Sequence, residues 1–186
     1  MAKFYNRLTP ELQRFLSEQL VFFTATAPIE GRINLSPRGM DTLRCLDECT
    51  VAYLDLTGSG NETAAHLRLN RRMTIMCCSF SEQPLILRLY GKGRVAGPGT
   101  ADWEALRPSF PAIPGVRQIV ILDIESAQTS CGFGVPVFDA GRERTKLVEW
   151  AQRKGEAGLA DYRREHNRVS IDGLDTGLVV DESDIR

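Results

Sequence analysis

No apolar run in this chain is long enough to span a bilayer, and the opening Met-Ala-Lys-Phe-Tyr-Asn-Arg has no signal-peptide core. Neither a membrane partner nor export is expected. Positive charge is not in excess: the formal net charge is −1 with 25% charged residues, which gives no basic field for nucleic acid. Two histidines, His66 and His166, are too few and too scattered for a metal cluster, so no metal is expected. The five cysteines, at 45, 49, 77, 78 and 131, form no Cys-x-x-Cys pair. Without a secretion signal they read as reduced thiols of a cytoplasmic protein. Cys77 and Cys78 lie inside an apolar run and read as small buried hydrophobes. Gly-x-Ser-x-Gly, the Gly-Lys-Ser/Thr of a P-loop and the dinucleotide glycine fingerprint are all missing. No nucleophile–base pair can be read, and the catalytic residues stay unassigned.

What is present is enough for one domain over residues 1–186, able to bury a core without metal or disulfide staples. Thr9-Pro10-Glu11 reads as a helix start, with Leu12, Phe15, Leu16 and Leu20 in an apolar stripe. Residues 21–27 read as a strand and 32–36 as its hairpin return, which Pro37-Arg38-Gly39 is expected to break. Further strands are expected at 42–46, 51–56, 71–80, 85–96 and 116–129, with helices at 62–69, 101–110, 142–154 and 158–167. An extended tail, acidic at its end, is expected from 167 to 186. No βαβ rhythm and no internal repeat appear, which disfavours a doubly wound sheet. The expected fold is mainly β, a small closed or split barrel with peripheral helices: barrel at about 21–136, helical segment at about 141–186.

One stretch points to a ligand. The run 50–56 ends in Thr57-Gly58-Ser59-Gly60, and a helix pattern follows at Asn61-Glu62-Thr63. A strand, a small-residue turn and a helix start leave backbone N–H groups free, and the helix dipole then favours an anion such as phosphate. The plainer alternative is that Asn61 or Ser59 caps the helix and the glycines make the turn. Arg38, between Pro37 and Gly39, offers a guanidinium fork suited to phosphate, although a surface turn arginine is the commoner explanation. The Cys131-Gly132-Phe133-Gly134 loop allows close approach to a flat ligand, or simply closes the barrel tightly. His66 reads as a packing or helix-surface residue, and Asp123 with Glu125 as solvated side chains sharing one strand face.

Phe-Phe-Thr-Ala-Thr-Ala-Pro at 22–28, Asn-Leu-Ser-Pro-Arg-Gly at 34–39 and Val-Ala-Tyr-Leu-Asp-Leu-Thr-Gly-Ser-Gly-Asn-Glu-Thr-Ala-Ala-His-Leu at 51–67 resemble the pyridoxamine 5′-phosphate oxidase-related, FMN-binding split-barrel family. Ile-Leu-Arg-Leu-Tyr-Gly-Lys-Gly-Arg-Val at 86–95, Ser-Cys-Gly-Phe-Gly-Val-Pro at 130–136 and Ser-Ile-Asp-Gly-Leu at 170–174 are similar to the same branch. The resemblance implies a six-stranded antiparallel split barrel, a homodimer, and FMN in clefts between subunits. It places the isoalloxazine along Asn34, Ser36, Pro37, Arg38 and Gly39, and the phosphate at Thr57, Gly58, Ser59, Gly60, Asn61 and Thr63. Cys131, Gly132 and Gly134 become contributors from a partner subunit. The oxidase itself carries an Arg-Lys pair at the helix start, where this chain has Glu62 and Thr63. The implied activity is therefore an FMN-dependent oxidoreductase on an unidentified small molecule, not pyridoxamine-phosphate oxidation itself. The rival readings are the same fold holding a deazaflavin or haem, and a non-catalytic flavin-binding or dimeric interaction protein.

Overall fold

The computed structural model describes residues 2–139, 141 and 143–179; residue 142 of the expected helix and the acidic end of the expected tail lie outside them. The chain runs β1 (Lys3–Tyr5), α1 (Pro10–Ser17), β2 (Phe22–Thr26), β3 (Asn34–Arg38), β4 (Leu43–Cys45), β5 (Thr50–Leu56) and α2 (Glu62–Asn70). It continues through β6 (Arg72–Cys78), β7 (Ile86–Ala96), α3 (Ala101–Leu106), a 3₁₀ turn at Arg107–Ser109, β8 (Val116–Ser130) and α4 (Lys146–His166). Helix α1 starts as its sequence dictates: the Thr9 hydroxyl accepts from the Leu12 N–H, Pro10 fills the first turn, and Leu12 and Leu16 are buried.

The strands form one eight-stranded sheet in the order β3-β2-β6-β7-β8-β5-β4, with β1 joined to β8. Every pairing is antiparallel. The sheet curls into a half-barrel, the split-barrel architecture. Six strands of five residues or more make the expected barrel, and the three-residue β1 and β4 extend it. Alternate residues of the central strands serve opposite faces. Val51, Tyr53, Val120 and Leu122 join the larger core with Leu12, Phe22, Ile75 and Leu89. Ala52, Leu54, Ile119 and Ile121 pack with Phe110 and Trp103 on the other side. Burial on both faces explains why these strands read as unbroken apolar runs, and each such large side chain stabilises by about 1.5–3 kcal/mol.

Two expectations need correction, the break at Pro37 and the extended tail. Pro37 and Arg38 do not break the ladder: Pro37 pairs with Phe23 and Arg38 with Phe22. Strand β3 lies at the end of the sheet order, and an edge strand tolerates a proline that cannot donate. The two expected C-terminal helices are both present within α4, divided by a kink at Gly155 whose backbone is not helical (φ 64°, ψ 174°). The tail is not extended over its first ten residues. Asn167 and Thr176 are buried, and Val169 bridges to Asp175, so this stretch folds back on the barrel as a strap. At the β7–β8 pairing the register shifts between Tyr90 and Gly91, and a Cβ on Gly91 would lie 2.0 Å from the Asp123 carbonyl oxygen. Backbone meets backbone there, so no other side chain fits.

Candidate functional site

The β5–α2 connection, the outer strand β3 and the start of β8 enclose a cleft of about 340 Å³. Asn34, Ser36, Arg38, Gly58, Ser59, Gly60, Asn61 and Thr63 line it, together with Leu56, Glu62, Arg117 and Ile171. Two stretches flagged in the sequence, 34–39 and 57–63, are thus brought to one place.

The plainer explanation of the turn fails at Asn61. Asn61 precedes α2 but its side chain caps nothing in that helix. Its Nδ2 donates to the Asn167 carbonyl (3.3 Å) and its Oδ1 accepts from Gln118 Nε2 (2.8 Å). The first turn of α2 therefore keeps its unsatisfied backbone donors beside the cleft.

Beneath the turn lies a buried ionic group. Asp55 is 1% exposed, at the end of an otherwise apolar strand. Its Oδ1 accepts from Arg38 Nη1, and its Oδ2 from Arg117 Nη2 (2.7 Å), Arg117 Nε (3.1 Å) and Gln118 Nε2 (2.7 Å). Burial pushes the Asp55 carboxyl up, but the Arg117 and Arg38 charges and the hydrogen bonds from Arg117 and Gln118 outweigh it, leaving the pKa below its ordinary value. Two guanidinium groups thus face one carboxylate, leaving positive charge to spare. Arg117 also donates from Nη1 to the Gly60 carbonyl (2.9 Å), tying the turn to β8. The Arg38 guanidinium lies over the Tyr53 ring at 5.1 Å, and its Nε is buried without a hydrogen-bond partner among the described residues. An orphaned charged donor at a cleft wall is a site awaiting an acceptor.

Glu62 lines the same cleft, and its Oε1 accepts from the Ile171 N–H at 3.0 Å. The strap thereby occupies the carboxylate. It also holds the turn: Asn167 Nδ2 donates to the Gly58 carbonyl (2.9 Å) and Arg163 Nε to the Thr57 hydroxyl (2.8 Å). Thr57 is consequently buried behind the turn and does not line the cleft. Pro37 and Gly39 line instead a larger cavity of about 900 Å³ on the far side of Arg38, walled by Leu20, Val21, Met40 and Phe80. Cys131, Gly132 and Gly134 line neither cavity; a Cβ on Gly132 would press on Leu85.

Leu56, Glu62, Arg117 and Ile171 are the lining residues that sequence reasoning did not nominate as binding residues. The signal for Arg117 was Asp55: a carboxylate inside an apolar strand demands a buried cation. Elsewhere, Cys77 belongs to the core, its thiol pushed up to about 12 by burial and by Cys78. Among the described residues no group of three His, Cys, Asp or Glu side chains is placed to hold a metal ion. None of the described helices is long and apolar enough to cross a membrane.

With this geometry in hand, the family model described as pyridoxamine 5′-phosphate oxidase matches residues 8–131. The chain belongs to the pyridoxamine 5′-phosphate oxidase family. It is 38% identical over 195 aligned positions to the pyridoxamine 5′-phosphate oxidase family protein ustO of Aspergillus flavus, covering 94% of this chain and 77% of that one. Among solved structures it is similar to a variant of HupZ from group A Streptococcus (TM-score 0.55, 20% identity, 66% of this chain and 98% of that one). A candidate pyridoxamine 5′-phosphate oxidase from Lactobacillus delbrueckii gives TM-score 0.53 at 19% identity, covering 66% and 94%. These two support the split-barrel fold alone. The family match ends before the strap, so the residues that clamp the turn lie outside the matched segment.

The donors present fit a flavin phosphate: Arg38, Arg117, the free first turn of α2 and the Ser59 hydroxyl all surround one cleft.

Proposed function

We propose that this chain is an FMN-binding flavoprotein that works as an oxidoreductase on an unidentified small molecule. The carrying observation is the cleft in which two arginines over the buried Asp55, the strap-engaged Glu62 and an uncapped helix start surround a glycine-rich turn. Membership of the pyridoxamine 5′-phosphate oxidase family supports a flavin as the occupant. Bound flavin would supply the hydride and electron chemistry. The chain's own part is binding and orientation: Arg38, Arg117 and the α2 first turn hold the phosphate, Ser59 adds a hydroxyl, and Asn34 with Ser36 faces the remainder. Arg117 and Asn61 keep the turn in shape, and the Ile171 N–H keeps the Glu62 carboxylate engaged by the strap, which limits its repulsion of phosphate.

The working unit in this reading is a homodimer. Ile29, Ile33 and Leu35 are exposed on and beside edge strand β3, an apolar surface suited to a second copy. A partner subunit would bring its 131–134 segment to the cleft. A reducing cytoplasm suits the five free cysteines. Sedimentation at micromolar concentration should give a species of twice the 20.7 kDa chain mass; a monomer would remove the shared cleft.

Titrating the purified protein with FMN should quench flavin fluorescence with a dissociation constant in the micromolar range or tighter. Arg38→Ala should weaken binding by about tenfold or more, the cost of one charge-assisted contact, because Arg117 still neutralises Asp55 in the variant. Wild-type protein that fails to bind added FMN would sink the reading. Unchanged affinity in Arg38→Ala would remove Arg38 from it.

A further inference from the structure

His66 in α2 is 1% exposed, and the proposed binding scheme leaves it unused. Its Nδ1 is 3.0 Å from Thr26 Oγ1, and its Nε2 is buried with no hydrogen-bond partner among the described residues. The tautomer of a buried imidazole is set by the bonds its nitrogens make, so here Thr26 alone sets it. Thr26 Oγ1 also lies 3.4 Å from Asn34 Nδ2, which reaches Thr63 Oγ1 at 3.2 Å, while Asn34 Oδ1 lies 3.0 Å from Ser36 Oγ. Asn34 and Ser36 line the cleft. A continuous hydrogen-bonded chain therefore runs from an enclosed imidazole to a hydroxyl at the ligand site.

Two proton arrangements use the Thr26 hydroxyl as a donor within the chain, since each hydroxyl donates once and accepts up to twice. With Nδ1 bare, Thr26 donates to the ring, and Asn34 must turn its amide N–H toward Thr26. Asn34 Oδ1 then takes the Ser36 proton, and Ser36 offers the cleft only lone pairs. With the proton on Nδ1, Thr26 accepts from the ring and turns its own proton toward Asn34. The amide turns over on the same heavy-atom positions, its oxygen toward Thr26 and toward Thr63, whose hydroxyl then donates to it, and its N–H toward Ser36. Ser36 now accepts inside the chain and directs its O–H into the cleft. The two arrangements differ by the imidazole proton, on Nδ1 or Nε2, and by the turn of the Asn34 amide, and no partner on Nε2 among the described residues locks either.

We infer that His66 is a positioning residue which sets, through Thr26 and Asn34, whether Ser36 presents an acceptor or a donor to the ligand. Such a reversible site suits a heteroaromatic redox ligand whose ring nitrogen changes from acceptor to donor on reduction. That ligand class rests on the flavin reading above; the hydrogen-bond chain does not.

The test compares Thr26→Val, which removes the hydroxyl at nearly constant shape, with Thr26→Ser, which keeps it. In ligand-free, ¹⁵N-labelled protein, Thr26→Val should shift both the His66 imidazole and the Asn34 side-chain amide resonances, and Thr26→Ser should restore them. Ser36→Ala, at the cleft end, should shift the buried His66 resonances from the opposite direction and serves if Thr26→Val does not fold. In FMN titrations Thr26→Val should change the ratio of affinities for oxidised and reduced FMN by about five- to tenfold, one hydrogen bond's worth, with Thr26→Ser within about twofold of wild type. Asn34 resonances indifferent to Thr26→Val, or His66 resonances indifferent to Ser36→Ala, would overturn the inference. Wild-type protein that binds no FMN would instead defeat the flavin reading, while the resonance measurements still decide the chain.

Discussion

Asp55→Ala should lower the melting temperature by about 10 °C or more. Arg117 is 4% exposed and Arg38 largely buried, and both direct their guanidinium groups at this one carboxylate. Removing one member of a buried ionic group leaves uncompensated charge in a low-dielectric interior, which costs about 3–5 kcal/mol. For a domain of this size each kcal/mol moves the midpoint by about 2–4 °C. The loss should also reach the cleft, because Arg117 and Gln118 hold Gly60 and Asn61 from the same position. Acid should act through the same carboxyl. A group whose folded pKa is depressed adds stability that is present above the unfolded carboxylate value of about 4 and is lost as pH falls through the folded value. Wild-type protein should therefore lose stability below about pH 4 more steeply than Asp55→Ala. Thermal melts followed by circular dichroism from pH 7 to 3 measure both effects. Equal midpoints at neutral pH would show that the arginines need no partner.

Gly91→Ala should be nearly as damaging for an unrelated reason. The added Cβ would meet the Asp123 carbonyl oxygen at 2.0 Å and the Glu125 nitrogen at 3.1 Å, both main-chain atoms of the neighbouring strand. A side chain could rotate away, but a paired strand has to move as a unit. Overpacking costs about 1–3 kcal/mol when side chains give way and more when backbone must, so a fall of about 5–10 °C is expected. Gly97→Ala is the control: a Cβ there meets nothing within 4 Å, and its midpoint should stay within about 2 °C of wild type. A Gly91→Ala protein as stable as that control would mean that the β7–β8 register can slide.

The parts of the molecule that were legible in the sequence are those with local causes. Thr9-Pro10 announced α1, and the glycines of 58–60 announced the turn between β5 and α2. The half-barrel followed from a nearly unbroken succession of apolar strands with few helices between them and no βαβ rhythm. Pro37 misled because proline forbids a ladder hydrogen bond only where a neighbour wants one, and edge position is a property of the assembled sheet. Arg117 was hidden for a similar reason. It begins a strand of Ile and Val, and its meaning lies in Asp55, 62 positions earlier. Glu62 looked hostile to an anion until the Ile171 N–H was found on it from 109 positions away. His66 was expected to be a packing or helix-surface residue and is buried; which atoms it reaches could not be read from one helix.

The strap has a consequence for biosynthesis. Gly58, Thr57 and Glu62 are all tied to residues between 163 and 171. A chain leaving the ribosome from its N-terminus can pair its early strands long before these residues emerge, yet it cannot finish the turn. The cleft is thus finished only after every strand of the barrel and residues 163–171 have emerged. A polypeptide cut before residue 163 would keep its strands and lose the contacts that hold Thr57, Gly58 and Glu62 in place.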